Sequence, residues 1–159
     1  MDRINAIWNH PLYQQNLSEL LNLESDRIFC RHTPEHFLDV ARLTWIYILE
    51  ERLDFSREIV YSAALLHDIG RARQYIDGTP HDEAGACIAN TILTDLAFTE
   101  EEKSLIITAI SEHRSSGTQT GILSRLLYKA DKKSRNCFLC PALSECNWAS
   151  EKKNMTLQY

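Results

Sequence analysis

Leu65-Leu66-His67-Asp68-Ile69-Gly70 places a histidine and an aspartate side by side at the end of an apolar helical stretch. On a helix, Val60, Ala63, Ala64 and His67 fall on one face at i, i+3, i+4 and i+7, so that face is expected to be buried. Asp68 stands about 100° round from it. A buried aspartate is rare unless it is paired or bound to a cation. Two readings are open for the pair. One is a core histidine hydrogen-bonded to its neighbour. The other is a metal ion, because imidazole nitrogen and carboxylate oxygen are common ligands for Zn, Fe and Mn, and a carboxylate has two oxygens with which to bridge two ions.

Working outward, helix signals recur. Residues 1–29 read as one or two short helices broken at His10-Pro11, with His10 expected at the surface. Thr33-Pro34 is a helix start, and that helix is expected to run to about Leu53. Its core stripe includes Phe37, Val40, Ala41, Thr44 and Ile48, with His36 in line with Leu43 and Tyr47. The helix carrying His67 is expected over about Ser56 to Gly70, with Gly70 as its stop and 71–79 as a polar connection. Thr79-Pro80 repeats the start signal for a helix to about Leu93, with His81 near its beginning and Ala84 and Gly85 open to close backbone approach. Thr99-Glu100-Glu101-Glu102 is a capping box, and the helix it opens carries Ile106, Ala109, Ile110 and His113 on one face. After a Ser/Gly/Thr loop at 115–121, a last long helix is expected from about Ile122 to Arg135, with Leu123, Leu127 and Asp131 spaced by four. No stretch reads convincingly as a strand. The expectation is an all-α bundle of about six or seven helices, with one helical domain over 1–136 and a cysteine-containing tail over 137–159 packed on it.

Composition narrows the partners. At 159 residues the chain is long enough for one domain with its own core. A net charge of −5 leaves no overall basic footprint, which argues against a nucleic-acid polymer. The N-terminus shows no apolar signal-peptide core, no stretch is long enough to span a membrane, and the five cysteines then suit thiols or metal ligation. A cytoplasmic location is expected, and an oligomer is compatible with these features.

Six polar residues interrupt or adjoin apolar helix faces: His36, His67, Asp68, His81, His113 and Asp131. Any one of these histidines could be a satisfied core side chain. Several core-facing polar positions in one small domain strain that reading, and four histidines with two carboxylates suit two transition-metal ions. The ordered set, with its contexts Ala-Leu-Leu-His67-Asp68-Ile-Gly, His81-Asp-Glu-Ala-Gly-Ala and Tyr-Lys-Ala-Asp131-Lys, resembles the HD-domain superfamily of metal-dependent phosphohydrolases over residues 30–135. It looks like the variant with two extra histidines that binds two metals. Some bacterial nucleotide hydrolases, including symmetrical diadenosine tetraphosphate hydrolases, show the same ligand order. The Gly-Tyr-Pro triplet of cyclic di-GMP phosphodiesterases is absent.

The resemblance implies one ion (Mn, Fe, Co, Ni or Zn) on His36, His67, Asp68 and Asp131. It implies a second on His81, His113 and the other oxygen of Asp68, with Asp68, His81 and His113 at the chemistry. A bridging hydroxide would attack phosphorus in a small nucleotide or phosphorylated metabolite. Arg114 and Lys132, each next to a ligand, are candidate phosphate contacts, though exposed basic residues beside buried ones are ordinary. Lys133 adds charge nearby. His32 is placed either at the mouth of the site as a proton donor or simply at the surface. Mixed-valent diiron oxygenases resemble the same six-ligand pattern and form the alternative.

Cys137-Phe-Leu-Cys140 followed by Cys146 lies outside that pattern. Three thiols with this spacing suggest zinc or an iron–sulfur cluster, both of which want four ligands. Cys30 lies six residues before His36, and Cys137 six residues after Asp131. If His36 and Asp131 share a metal, Cys30 completes the set. Cys87, mid-helix, is expected to be packing. Free thiols in a loose tail are the plain alternative.

Overall fold

In a computed structural model, which describes residues 1–114, 117 and 119–157, the chain forms eight α-helices and three short 3-10 turns with no strand among the described residues. The helices are α1 (Asp2–Asn9), α2 (Pro11–Leu23), α3 (Pro34–Glu50), α4 (Arg57–Leu66), α5 (Arg71–Asp77), α6 (His81–Asp95), α7 (Glu100–Glu112) and α8 (Ile122–Lys133). The 3-10 turns are Cys137–Leu139, Leu143–Glu145 and Ser150–Lys152. The all-α expectation holds, with one helix beyond the six or seven read from the sequence. The loop read at 115–121 falls partly outside the described residues, at 115, 116 and 118.

Helix α4 is the centre of the bundle. It packs against α3, α7, α1 and α8, and Ile59, Val60, Ser62, Ala63, Ala64, Leu65 and Leu66 are all buried. Helix α3 lies between α4 and α8, and α6 pairs with α7. The small side chains at 63 and 64 let neighbouring helices approach the face that ends at His67. Caps set the starts: Ser56 Oγ accepts from Ile59 N–H, and Thr99 and Glu102 form the reciprocal capping box. Arg3 fastens α1 across both starts. Its guanidinium donates to both Glu102 carboxylate oxygens and to Glu58, each at 2.7 Å.

Several boundaries differ from the sequence reading. Helix α3 stops at Glu50, because the chain turns through Arg52 at φ 53. The helix expected over 56–70 ends at Leu66, and the stretch read as a polar connection contains α5, with Ala72 buried. The break lets Arg71 fold back onto Asp68. Helix α8 ends at Lys133 rather than Arg135. His10 is not a surface residue. It is half-buried, its Nδ1 accepts from Leu12 N–H to cap α2, and its Nε2 lies 3.3 Å from Asp95. Beyond α8 the tail folds back, with buried Asn154 donating to the carbonyls of Lys132 and Arg135.

Gly70 does not work as a left-handed helix stop; its φ of −78 is open to any residue. Its need is steric. A Cβ there would stand 2.3 Å from both Gly85 N and His81 O. Gly85 is the opposite face of the same approach, but a Cβ on it meets Ile110 Cγ2 at 3.4 Å, ordinary contact. Gly70→Ala is therefore expected to cost about 1–3 kcal/mol or more through overpacking against backbone that cannot yield. Gly85→Ala is expected to be neutral or slightly stabilising, since it adds helix propensity. Urea unfolding of the two variants checks this contrast, and equal effects would refute it.

Candidate metal centre

The helix ends converge on Asp68. His36 comes from the first turn of α3, His67 is the C-cap of α4, His81 opens α6, His113 caps α7, and Asp131 lies in the last turns of α8. All six residues read from the sequence are buried. Around the Asp68 carboxylate, Oδ2 lies 3.2 Å from His67 Nε2 and 4.0 Å from His36 Nε2. Oδ1 lies 3.5 Å from His81 Nε2 and 3.4 Å from His113 Nε2. Asp131 Oδ1 is 3.3 Å from His36 Nε2 and 3.8 Å from His67 Nε2. The donor atoms form two sets, each within 4.8 Å: His36, His67, Asp68 and Asp131, and Asp68, His81 and His113.

The tautomers show that this cluster is built for cations. His67 Nδ1 is held against Ala64 O at 2.6 Å, His113 Nδ1 against Ile110 O, and His81 Nδ1 against Gln74 Oε1 at 2.7 Å. An oxygen acceptor takes the Nδ1–H, so each neutral ring turns an Nε2 lone pair inward; without a cation beside it, His67 instead takes up a proton under the charges of Asp68 and Asp131. The Nε2 atoms of His81 and His113 face each other at 3.2 Å, and buried His67 Nε2 and Asp68 Oδ2 have no hydrogen-bond partner. Lone pairs aimed at a buried carboxylate repel it unless a cation stands between them. Divalent metal ions fit this donor set, and it contains the nitrogen and oxygen ligands such ions take.

His32, which the sequence left between the mouth of the site and the surface, is buried. Its Nδ1 is 2.6 Å from Glu24 Oε1, its backbone N–H donates to Glu24 Oε2, and its Nε2 points at Asp68 Oδ2 from 3.5 Å. Burial pushes Glu24 up, but the hydrogen bonds it accepts from His32 and Tyr75 hold it down at about 2. Burial pushes His32 itself down, against the pull of Asp68 and Glu24. The pair is thus a carboxylate orienting a neutral imidazole. Sequence reasoning missed it because Glu24 and His32 meet across an irregular segment with no helical spacing.

Arg71 was missed too, although it stands at i+3 from Asp68; its Nε donates to Asp68 Oδ1 at 2.8 Å. A cavity of about 420 Å³ opens over this side of the cluster, lined by His32 and Asp131 and by the cations Arg27, Arg71, Lys132 and Arg135. Lys132 reaches Asp131 Oδ2 at 2.6 Å. Arg114 and Lys133 do not line it. They border an adjoining basic groove, where Arg114 lies 3.5 Å from Asp82.

The HD domain family matches residues 33–136. The chain belongs to the HD domain family. The matched span contains the whole His/Asp cluster and leaves out the last cysteines. An uncharacterized protein of Clostridium beijerinckii is 43% identical over 159 residues, with both chains covered in full. Ribonuclease Y of Enterococcus faecalis is 30% identical over 126 residues, but this HD-domain protein spans only 22% of its length. The crystal structure of a predicted HD superfamily hydrolase from an uncultured Thermotogales bacterium superposes with a TM-score of 0.65 at 24% identity, covering 89% of this chain and 81% of that one. It shares the fold. No helix among the described residues is long and apolar enough to cross a membrane.

The imidazoles set an acid limit on the metal-free protein. Burial lowers His36 to about 4 and His81 to about 3 from 6.5. Between about pH 6.5 and 4 the unfolded chain binds protons that the folded chain refuses, so stability falls as pH is lowered through that window. His67 has the opposite sign. Burial opposes its charge, but Asp68 and Asp131 outweigh burial and raise it to about 9, so its contribution is complete below pH 6.5 and is lost as pH rises through 9. Urea midpoints of chelated protein are expected to drop from pH 7 to pH 5, with a shallower drop in His36→Gln. Midpoints independent of pH would contradict these assignments.

Proposed function

We propose that this HD-domain protein is a metal-dependent phosphohydrolase that cleaves a phosphoester or phosphoanhydride bond in a small nucleotide or other phosphorylated metabolite. The observation that carries the reading is the cavity lined by Arg27, Arg71, Lys132 and Arg135, which opens directly onto the buried His/Asp donor set. Four cations at one wall have an obvious use for a substrate whose charge sits on phosphoryl oxygens. The cavity's size suits one small ligand. The ribonuclease Y matches favour a phosphodiester among the bonds to be tried.

In this reading His36, His67, Asp68 and Asp131 would hold one divalent ion, and Asp68, His81 and His113 would hold a second. Bound there, the ions supply Lewis-acid charge and a water acidified toward neutral pH. The chain's own groups do the rest. Arg71 and Lys132 orient the phosphoryl group and offset the charge that grows on it. Ala64 O, Ile110 O and Gln74 keep the imidazoles in the ligating tautomer. Glu24 fixes the proton on His32 Nδ1, leaving Nε2 able to accept one from the attacking water. An oxygenase on the same ligands would not need the cationic wall.

Turnover is to be measured with Mn²⁺ or Co²⁺ on nucleoside mono-, di- and triphosphates and dinucleoside polyphosphates, by product chromatography. Asp68→Ala is expected to abolish turnover and lower bound metal, and retention of both would sink the dinuclear site. Arg71→Gln is expected to lower kcat/KM by about 10²-fold, with weak rescue by Arg71→Lys because the ammonium cannot reproduce the guanidinium geometry. No turnover in metal-loaded protein, together with oxygen uptake by the iron form, would move the assignment to the diiron oxygenase.

A further inference from the structure

Cys30, Cys137, Cys140 and Cys146 come together although more than a hundred residues separate the first from the rest. All four line one cavity of about 230 Å³, and none is in a disulfide. The tail that carries three of them has little else to hold it. Its helical turns are three residues each, and only Cys137, Ala142 and Asn154 are buried in 137–157, while Leu139 and Leu157 are 74% and 86% exposed. A segment with so small an apolar core needs a staple.

We infer that these four cysteines bind an iron–sulfur cluster. A single zinc is the competing occupant of four thiolates, and geometry separates the two. Zn–S bonds of about 2.3 Å in a tetrahedron bring sulfurs to about 3.8 Å of one another. The donor sets closing within 4.8 Å are the two His/Asp groups, and the four cysteines, all among the described residues, form none. They ring a space instead of closing on a point, as a polynuclear core requires.

The cluster site abuts the substrate cavity. Cys30, Arg135, Cys146 and Trp148 line both spaces. Arg135 donates to the Arg31 carbonyl at 3.0 Å, and its Nη2 stands 3.0 Å from His36 Nε2. Lys153 donates to Cys146 O, and Asn154 O accepts from Phe138 N–H, which closes the tail on itself. The cluster thus builds one wall of the pocket and is assigned no part in the bond cleavage.

The full chain is to be reconstituted anaerobically with ferric iron, sulfide and a dithiol reductant, desalted, and assayed for iron, zinc, acid-labile sulfide and visible absorption. Sulfide is the deciding readout, because the His/Asp centre has no use for it. Two or four sulfides per chain are expected, with sulfur-to-iron absorption that dithionite bleaches. Cys30→Ser, Cys140→Ser and Cys146→Ser are each expected to lose at least half of the sulfide and the colour. Cys87→Ser, on the exposed face of α6, keeps both. Asp68→Ala also keeps the sulfide, so the result stands whether or not the protein proves to be a phosphohydrolase. Folded wild-type protein that takes up zinc without sulfide, or takes up no sulfide, overturns the inference, as does full sulfide retention in Cys30→Ser.

Discussion

One buried carboxylate organises the molecule. Asp68 has five imidazole Nε2 atoms around it, those of His32, His36, His67, His81 and His113, at 3.2 to 4.0 Å. Its carboxyl is held well below the usual carboxylate range, because the charges of His67 and Arg71 outweigh the cost of its burial. Five of the six histidines of the chain are committed to this point. Such a concentration of donors in an apolar bundle is costly to fold unless cations share it, and the division of neighbours between Oδ1 and Oδ2 is what lets one side chain serve two positions.

The packing exists to bring helix ends, not helix faces, to that carboxylate. His67 and His113 sit at C-caps, where the carbonyls of Ala64 and Ile110 take the Nδ1 proton, Ile110 O beside the backbone N–H of His113. Carbonyls in the last turn of a helix thus set the tautomer of the imidazole that follows. The close meeting of Gly70 with Gly85 then brings the start of α6, and with it His81, against the end of α4. A side chain at Gly70 would open that junction and move the second donor set away from the first.

The surface follows a different rule from the core. The chain is net acidic, yet Arg27, Arg71, Lys132 and Arg135 gather at one cavity, and further basic residues line the groove beside it. Local charge at a walled site governs which ligand is drawn in, and overall charge does not report it. The tail contributes to that wall through Cys146, Asn147 and Trp148, so a segment with scarcely any core of its own shapes the pocket.

Much of this was legible in the sequence by itself. The helix starts at Thr33-Pro34 and Thr99, the break at His10-Pro11 and the apolar stripes were enough for an all-helical bundle, because these signals act within a few residues of one another. The six clustered His and Asp side chains were legible for a related reason: a charged or titratable side chain on an apolar stripe has few physical excuses. Other features depend on contacts between distant segments. Glu24 orienting His32, Arg71 turning back across a broken helix, Arg135 rather than Arg114 at the pocket, and the steric need for Gly70 carry no periodic signature. Tertiary structure decided them, since each follows from which helix end meets which, and that is settled by packing summed over the whole core.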